Sequence, residues 1–303
     1  MSDSKDQPQA LEQWVGRTQT VSDTISPVQV RQMSATLDDA ARMNNPAMSL
    51  LPAGWHWLYF NPLEVQSKLG EDGHPARGDF LPPVELPRRM WAGSRLEWTR
   101  HFSVGAEVQK TSEIINVSRK SGRSGEMVFV TVAHVYSDPQ GTLLREEHDI
   151  VYRDSQSAAE KAALAEVAGR VAQWQAAAPV FERVGQHTKA VMADAVMLYR
   201  YSAATFNGHR IHYDVDYCRD VEGYPGLVVH GPLIATLLLD YVENELAPGR
   251  RIRSFEFRAN RPTFDLGGFH LHASPEDGDA HALKVWATNN VGEVGIDGLI
   301  TLA

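Results

Sequence analysis

The chain is short of several things, and each shortage excludes something. It has a single cysteine, Cys218, so no internal disulfide can form and a reducing compartment is the expected one. It has no long apolar run: the most apolar stretch, PLIATLLLDYV, is too short to span a bilayer and runs into acids, so no membrane partner is expected. The opening stretch, MSDSKDQPQALEQW, has no apolar core of the signal-peptide kind, and a cytoplasmic protein is expected. Basic residues are not in surplus: 29 Lys and Arg stand against 38 Asp and Glu, a net charge of -9, which argues against a nucleic-acid partner. There is no G-x-S-x-G nucleophile elbow, no GxxxxGK phosphate loop and no convincing dinucleotide fingerprint, so no cofactor is expected.

What is present suits a globular protein. The 303 residues are 43% hydrophobic and 22% charged, enough for one large domain or two ordinary ones with a sizeable core. TQTVSDTI reads as a short strand, and PVQVRQMSATLD as a helix with Ser26 as cap and Pro27 in its first turn. Residues 46–78 form a long excursion rich in Gly, Pro and aromatics, whose Trp55, Trp57, Tyr59 and Phe60 are expected to pack. PVELPRRMWAGSRLEW is irregular, with a short helix expected. Alternating strands follow from RLEWTRHF onward, with KSGRSG and SDPQG as turn signals. An alanine-rich helical stretch over 156–175 marks a boundary. Then come a helix in DAVMLYRYSAATF, a very apolar one in GPLIATLLLDYVENEL, and a second set of strands. The order of elements repeats, and MSATLD is echoed by YSAATFN. The expected architecture is α+β, with residues 1–155 and 181–303 as two similar domains and 156–180 as a helical linker between them.

TFNGHRIHYD, residues 205–214, gathers the chemistry. His212 is the sharpest candidate for taking and giving protons near neutral pH. Asn207 can hold a water or donate to an oxygen, but it cannot act as a base. A turn at Gly208 would bring both to one cleft; the structural alternative is capping and surface histidines. Gly231 opens the apolar helix, where backbone N–H groups lack intrahelical acceptors and can receive a carbonyl oxygen as it gains charge. The alternative there is an ordinary buried helix start. A metal is the weaker reading, because His209, His212, Asp214 and Asp216 have no clear partner cluster. Together these parts suggest proton chemistry beside an activated carbonyl, as in adding water across a conjugated thioester. A phosphate-bearing carrier would want a basic surface, for which Arg88, Arg89, Arg119, Lys120 and Arg123 are candidates.

YSAATFNGHRIHYD, then EGYPGLVVHGPL, and KSGRSGEMVFVTV in the first half resemble the MaoC-like hot-dog hydratases and dehydratases. The likeness is to the branch with an N-terminal dehydratase domain of the type I fatty-acid-synthase kind, which includes type 2 hydroxyacyl-thioester dehydratases and mesaconyl-C4-CoA and itaconyl-CoA hydratases. It covers nearly the whole chain. It implies a double hot-dog, antiparallel sheets each wrapped around a central helix, with a non-catalytic first half that covers the long helix and shapes the acyl tunnel. It implies a hydro-lyase acting on an acyl-CoA thioester, with a homodimer of double hot-dogs as a compatible assembly. The family aspartate falls on Asn207, the asparagine on His209, the proline on Arg210 and the histidine on His212. A two-residue Asp–His mechanism is therefore not carried over unchanged, although a divergent branch shares the N-x-H-x-x-H arrangement. The resemblance implies His212 as base in hydration, Asn207 positioning the water, and the Gly231 N–H polarising the thioester carbonyl. Candidate substrate contacts are His209, Arg210, Tyr213, His230, Arg88 and Arg89. An arginine in the pocket would select a free carboxylate, and Arg210, Arg258 and Arg261 are candidates; the structural alternative for Arg210 is a hydrogen bond to a backbone carbonyl or a nearby Asp. The expected substrate is a C5 dicarboxylic enoyl-CoA; the alternatives are fatty hydroxyacyl-thioester dehydration, thioester hydrolysis, or binding without turnover.

Overall fold

The computed structural model describes residues 11–45, 48–122, 125–175 and 180–303. The alternating runs of the first half fold as β1 (Thr18–Thr24), β2 (Arg88–Trp98), β3 (Glu107–Gly122), β4 (Gly125–Asp138) and β5 (Gly141–Arg153). In β4, Val128, Val130 and Val132 are buried at a period of two, which a sheet covered on one face requires. Asp138 pairs with Gly141 across the SDPQG turn. The second half supplies β6 (His187–Val191), β7 (Ile252–Ala259), β8 (Phe269–Glu276), β9 (Asp279–Thr288) and β10 (Val294–Leu302).

The ten strands form one antiparallel sheet in the order β1-β3-β4-β5-β2-β7-β10-β9-β8-β6. Read from each outer edge inward, the halves have the same order: first, third, fourth, fifth, second. This is the double hot-dog, with its seam between β2 and β7, where Gly93 faces Arg258 and Glu97 faces Ser254. A side chain at Gly93 would put Cβ 2.3 Å from the Phe257 carbonyl oxygen, so glycine lets the halves meet.

In PVELPRRMWAGSRLEW, where a short helix is expected ahead of the strand RLEWTRHF, the strand β2 already begins at Arg88. Pairing with β5 on one side and β7 on the other overrides its mixed local pattern, and a bulge between Trp91 and Gly93 absorbs the irregularity. β6 carries no sequence signal because it is an edge strand with only Val191 buried.

The helices are α1 (Pro27–Thr36), α2 (Ala40–Met43), α3 (Ala158–Gln175), α4 (Ala195–Ala204) and α5 (Gly231–Tyr241). Ser26 caps α1 by accepting from the Val28 N–H at 3.2 Å, and Asp194 caps α4 by accepting from Met197 N–H at 2.8 Å. The echoed letters fall at the ends of α1 and α4, which pack on each other. α5 is the long buried helix. Its Leu233, Leu238 and Leu239 are fully buried, each stabilising by about 1.5–3 kcal/mol. The aromatic excursion lies on it: a Cβ at Gly54 would stand 2.7 Å from Leu239 Cδ1. Trp55, Leu58, Tyr59 and Phe60 are buried in the same core. Among the described residues no helix is long and apolar enough to cross a membrane.

Candidate active site

The site forms where α4 stops. Thr205 caps the helix, and Phe206 turns the chain with φ of 50°. Asn207 N–H donates to Ser202 O at 2.8 Å, and its Oδ1 accepts from His209 N–H at 3.0 Å. That turn spends the Asn207 carbonyl and leaves its NH2 as the group to offer. A 3-10 turn, Arg210–His212, follows.

His212 Nδ1 lies 2.7 Å from the Val228 carbonyl oxygen. A carbonyl only accepts, so Nδ1 carries the hydrogen and Nε2 of the neutral ring is the free base. The ring stacks on His230 with centroids 3.6 Å apart and meets His209 edge-on at 5.5 Å. Burial pushes His212 down to about 4, against the pull of its Val228 hydrogen bond. His230, bonded to Ser202 Oγ at 2.8 Å, is pushed well down by burial, and so is His209. His212 is buried and is not among the side chains lining either cavity described next.

Two cavities meet at this loop. One, about 660 Å³, is mainly apolar and runs from Asn207, Tyr213 and Pro232 past Trp57 and Trp91 to a polar far wall. There the buried Glu146 accepts from Trp57 Nε1, Tyr136 Oη and His56 at 3.1–3.2 Å. Burial works to raise the Glu146 carboxyl, but the His56 hydrogen bond and charge outweigh it and hold it well below the usual range. The other, about 630 Å³, is polar and of mixed charge: Arg77, Arg88 and Lys161 line it together with Glu71, Glu85, Glu222 and His209. His74, Pro75 and Arg89 line both and so form the partition. Gly231 begins α5 beside Trp91, 3.7 Å from where its Cβ would be, and no hydrogen bond among the described residues uses its N–H.

The excursion adds two side chains that the sequence did not single out. Asp72 Oδ2 and His74 Nδ1 lie 2.9 Å apart, and the His74 ring sits 4.1 Å from that of His209. Burial works to raise Asp72, but the hydrogen bond and charge of His74 win and hold it well below the usual range. Burial pushes His74 down, the Asp72 bond opposes this, and Arg89 and Arg77 add to the lowering. Asp72, His74 and His209 are the residues among those described whose donor atoms, all within 4.8 Å, could converge on a metal. A cation there would displace the Asp72–His74 hydrogen bond. The set weighed from sequence does not converge in this way, since Asp214 is bound to Arg210 and to Tyr217 N–H.

The arginines sort differently from the expectation. Arg210 is held by Asp214 at 2.8 Å, by Glu71 O, and over the Tyr217 ring at 4.2 Å, so it is occupied rather than aimed at substrate. Arg258 is exposed on β7, and Arg261 is an exposed partner of Glu182. Arg119 and Lys120 are exposed on β3, away from both cavities, and Arg123 lies outside the described residues. Arg88 lines the mixed-charge cavity, donating to Tyr224 Oη at 2.7 Å with Glu222 at 3.7 Å. Arg89 makes no ion pair among the described residues, and its charge acts on His74, His148 and His209. Tyr213 is half exposed, its hydroxyl donating to Gly208 O at 2.9 Å.

A paired hot-dog sheet, a helix N-terminus beside an apolar cavity and a histidine-rich loop suit chemistry on a thioester carbonyl. The chain belongs to the hydroxyacyl-thioester dehydratase type 2 family, whose model matches residues 54–265. It is 41% identical over 262 residues to the mesaconyl-C(4)-CoA hydratase of Chloroflexus aurantiacus, covering 86% of this chain and 88% of that one. It is 24% identical over 274 residues to the mitochondrial hydroxyacyl-thioester dehydratase type 2 of Schizosaccharomyces pombe, covering 80% and 86%. The fold matches a MaoC-like dehydratase from Phytophthora capsici with a TM-score of 0.69 at 12% identity, covering 97% and 98%.

Proposed function

We propose that the protein reversibly hydrates an enoyl-CoA that carries a free carboxylate, a C5 dicarboxylic thioester of the mesaconyl-C4 or itaconyl type. The observation that carries this is Arg89, a half-buried cation with no carboxylate partner among the described residues, at the partition between the cavities and beside the histidine loop. A buried charge needs a counter-charge, and a planar guanidinium matches a carboxylate in two-point fashion. The 41% identical hydratase supports the same class.

In this reading the mixed-charge cavity takes the CoA moiety, with Arg88 and Lys161 on its wall as the cations for phosphate, and the acyl group enters the apolar cavity. The Gly231 N–H receives the thioester oxygen as the enolate forms. His212 takes the proton of the attacking water in hydration and returns it in dehydration. Asn207 holds the water through its NH2, and His209, Tyr213 and His230 shape the surroundings. The catalytic loop lies in the second half, residues 181–303, and the first half supplies the walls. One buried thiol, Cys218, and no other cysteine suit a cytoplasmic setting.

A second reading is dehydration of longer 3-hydroxyacyl thioesters, favoured by a 660 Å³ cavity far larger than a five-carbon acyl group needs. A mass-resolved hydration assay on mesaconyl-CoA, itaconyl-CoA, crotonyl-CoA and a medium-chain enoyl-CoA separates the two. Gain of one water on the dicarboxylic members alone is the expected result. Gain on the aliphatic members alone moves the protein to the second reading. Free CoA without hydrated thioester means a thioesterase, and binding without turnover means a protein that kept only the fold.

A further inference from the structure

Hydration moves two protons: one leaves the attacking water and one arrives at the α-carbon. His212 can serve the first. Asn207 cannot serve the second, because an amide neither gives nor takes a proton at neutral pH and its Oδ1 is already held by His209 N–H at 3.0 Å. His209 stands between two other rings, 4.1 Å from His74 and 5.5 Å from His212, and the described structure shows no hydrogen bond from its ring to a carboxylate. His74 differs on both counts: it lines both cavities and has Asp72 at 2.9 Å on Nδ1.

The turn that carries this pair is fixed to the catalytic loop backbone to backbone. Gly73 has φ of 88°, and a Cβ there would lie 1.9 Å from Gly208 O. Arg210 N–H donates to Asp72 O at 2.9 Å, and the Arg210 guanidinium reaches Glu71 O at 3.2 Å. Within the turn, Gly70 N–H donates to His74 O at 2.7 Å, and Asp72 Oδ1 accepts from His74 N–H at 3.0 Å. So the first half does not merely cover the site; it presses one built side-chain pair onto it.

We propose that Asp72 and His74 complete the proton-transfer apparatus, with His74 as a catalytic residue that exchanges a proton with the substrate α-carbon and Asp72 as the residue that orients and balances it. This rests on the hydro-lyase reading above. In hydration the water oxygen bonds to the β-carbon while one of its O–H bonds breaks toward His212 Nε2. The Cα=Cβ electron pair moves to the α-carbon through the enolate. His74, held as an imidazolium for this step by the Asp72 carboxylate on Nδ1 against the lowering that burial gives it, then breaks its Nε2–H bond to form the α C–H bond. His212 now holds the proton that His74 has lost, and exchange through solvent resets the pair. One water is added, and the negative Asp72 balances the single proton the two histidines share. Dehydration runs the same steps backwards.

The test uses the full chain and the hydrated form of whichever thioester the wild type turns over. Deuterium uptake at the α-carbon in D2O is followed together with kcat and KM, for wild type, His74→Gln, His74→Ala and Asp72→Asn. His74→Gln is expected to lose kcat and α-exchange by at least about a hundredfold with KM little changed. Asp72→Asn is expected to lose about tenfold or more in kcat. Added imidazole is expected to restore part of the His74→Ala rate, because His74 faces open cavity; a purely structural residue would not be rescued, and this arm stands even if His74→Gln folds poorly. A His74→Gln enzyme with near wild-type exchange, or a His74→Ala enzyme unmoved by imidazole, overturns the proposal and leaves the hydro-lyase reading intact. Loss of wild-type activity on chelation, restored by zinc, overturns it in favour of a metal on Asp72, His74 and His209. A wild type that hydrates none of the thioesters refutes the hydro-lyase reading itself.

Discussion

Replacing Arg89 by methionine keeps the apolar stem and removes the charge. If Arg89 reads the substrate carboxylate, the change deletes two charge-assisted hydrogen bonds from a site shielded on both sides by cavity walls. Hydrogen bonds to charged groups are worth about 1.5–3 kcal/mol each, less where water competes. Coulomb's law with an effective dielectric of about 20 and a separation of about 4 Å gives about 4 kcal/mol. Arg89 is half-buried, so a figure near about 3 kcal/mol is reasonable, or about a hundredfold in kcat/KM. The loss should fall on the dicarboxylic substrate alone. Crotonyl-CoA has no carboxylate to lose, and removing the cation also relieves His74 and His209, which Arg89 pushes down. The assay is loss of the enoyl-thioester absorbance with each substrate, reported as the ratio of the two kcat/KM values. Equal losses on both substrates would make Arg89 a structural residue. An unchanged ratio with full activity would mean that the carboxylate is read elsewhere or not at all.

Three further outcomes are expected. His212→Ala should reduce turnover at least about a hundredfold while substrate binding, measured by calorimetry, survives; near-full turnover would remove it as proton carrier. Gly73→Ala should lower the melting temperature and the activity together, since its φ of 88° and the 1.9 Å approach to Gly208 O leave no room for a methyl group, and an unchanged melting temperature would contradict that packing. Stability should fall between about pH 6.5 and 4. His212 and His148 are pushed down to about 4 in the fold, so the unfolded chain, whose histidines titrate near about 6.5, binds protons first as the pH drops. Their contribution is full above that window and lost as pH falls through it. A urea midpoint that stays level from pH 7 to pH 5 would show that these histidines are not buried neutral.

Much of the second half was legible because its signals are local. The cap, positive-φ turn and histidines of TFNGHRIHYD lie within ten residues, and the apolar run of α5 announces a buried helix opened by Gly231 and Pro232. For Arg210 the structural alternative was in view: Asp214 stands four residues on, a spacing that pairs opposite charges along a helical turn. β2 has its neighbours 46 to 165 residues away, and its first part was misread because its strand character comes from them, whereas its end, RLEW, reads as strand from its own alternation. Asp72 and His74 were invisible as a site for the same reason. They sit inside the Gly- and Pro-rich excursion, and only the tertiary contact between Gly73 and Gly208 makes them chemistry.

The seam between β2 and β7 has a consequence for how the protein comes into being. Residues 93–97 find their partners only when residues 254–258 have been synthesised. Until then β2 is an uncovered edge, and the aromatic turn around Trp55 lacks α5 to lie on. A nascent first half therefore carries Asp72, His74 and Arg89 but no catalytic loop to place them against, and its sticky edge must wait out most of translation. Such long-range pairing makes for slow closure. Activity thus arrives as the final act of folding, and a chain truncated before β7 should be a client for chaperones rather than a weak enzyme.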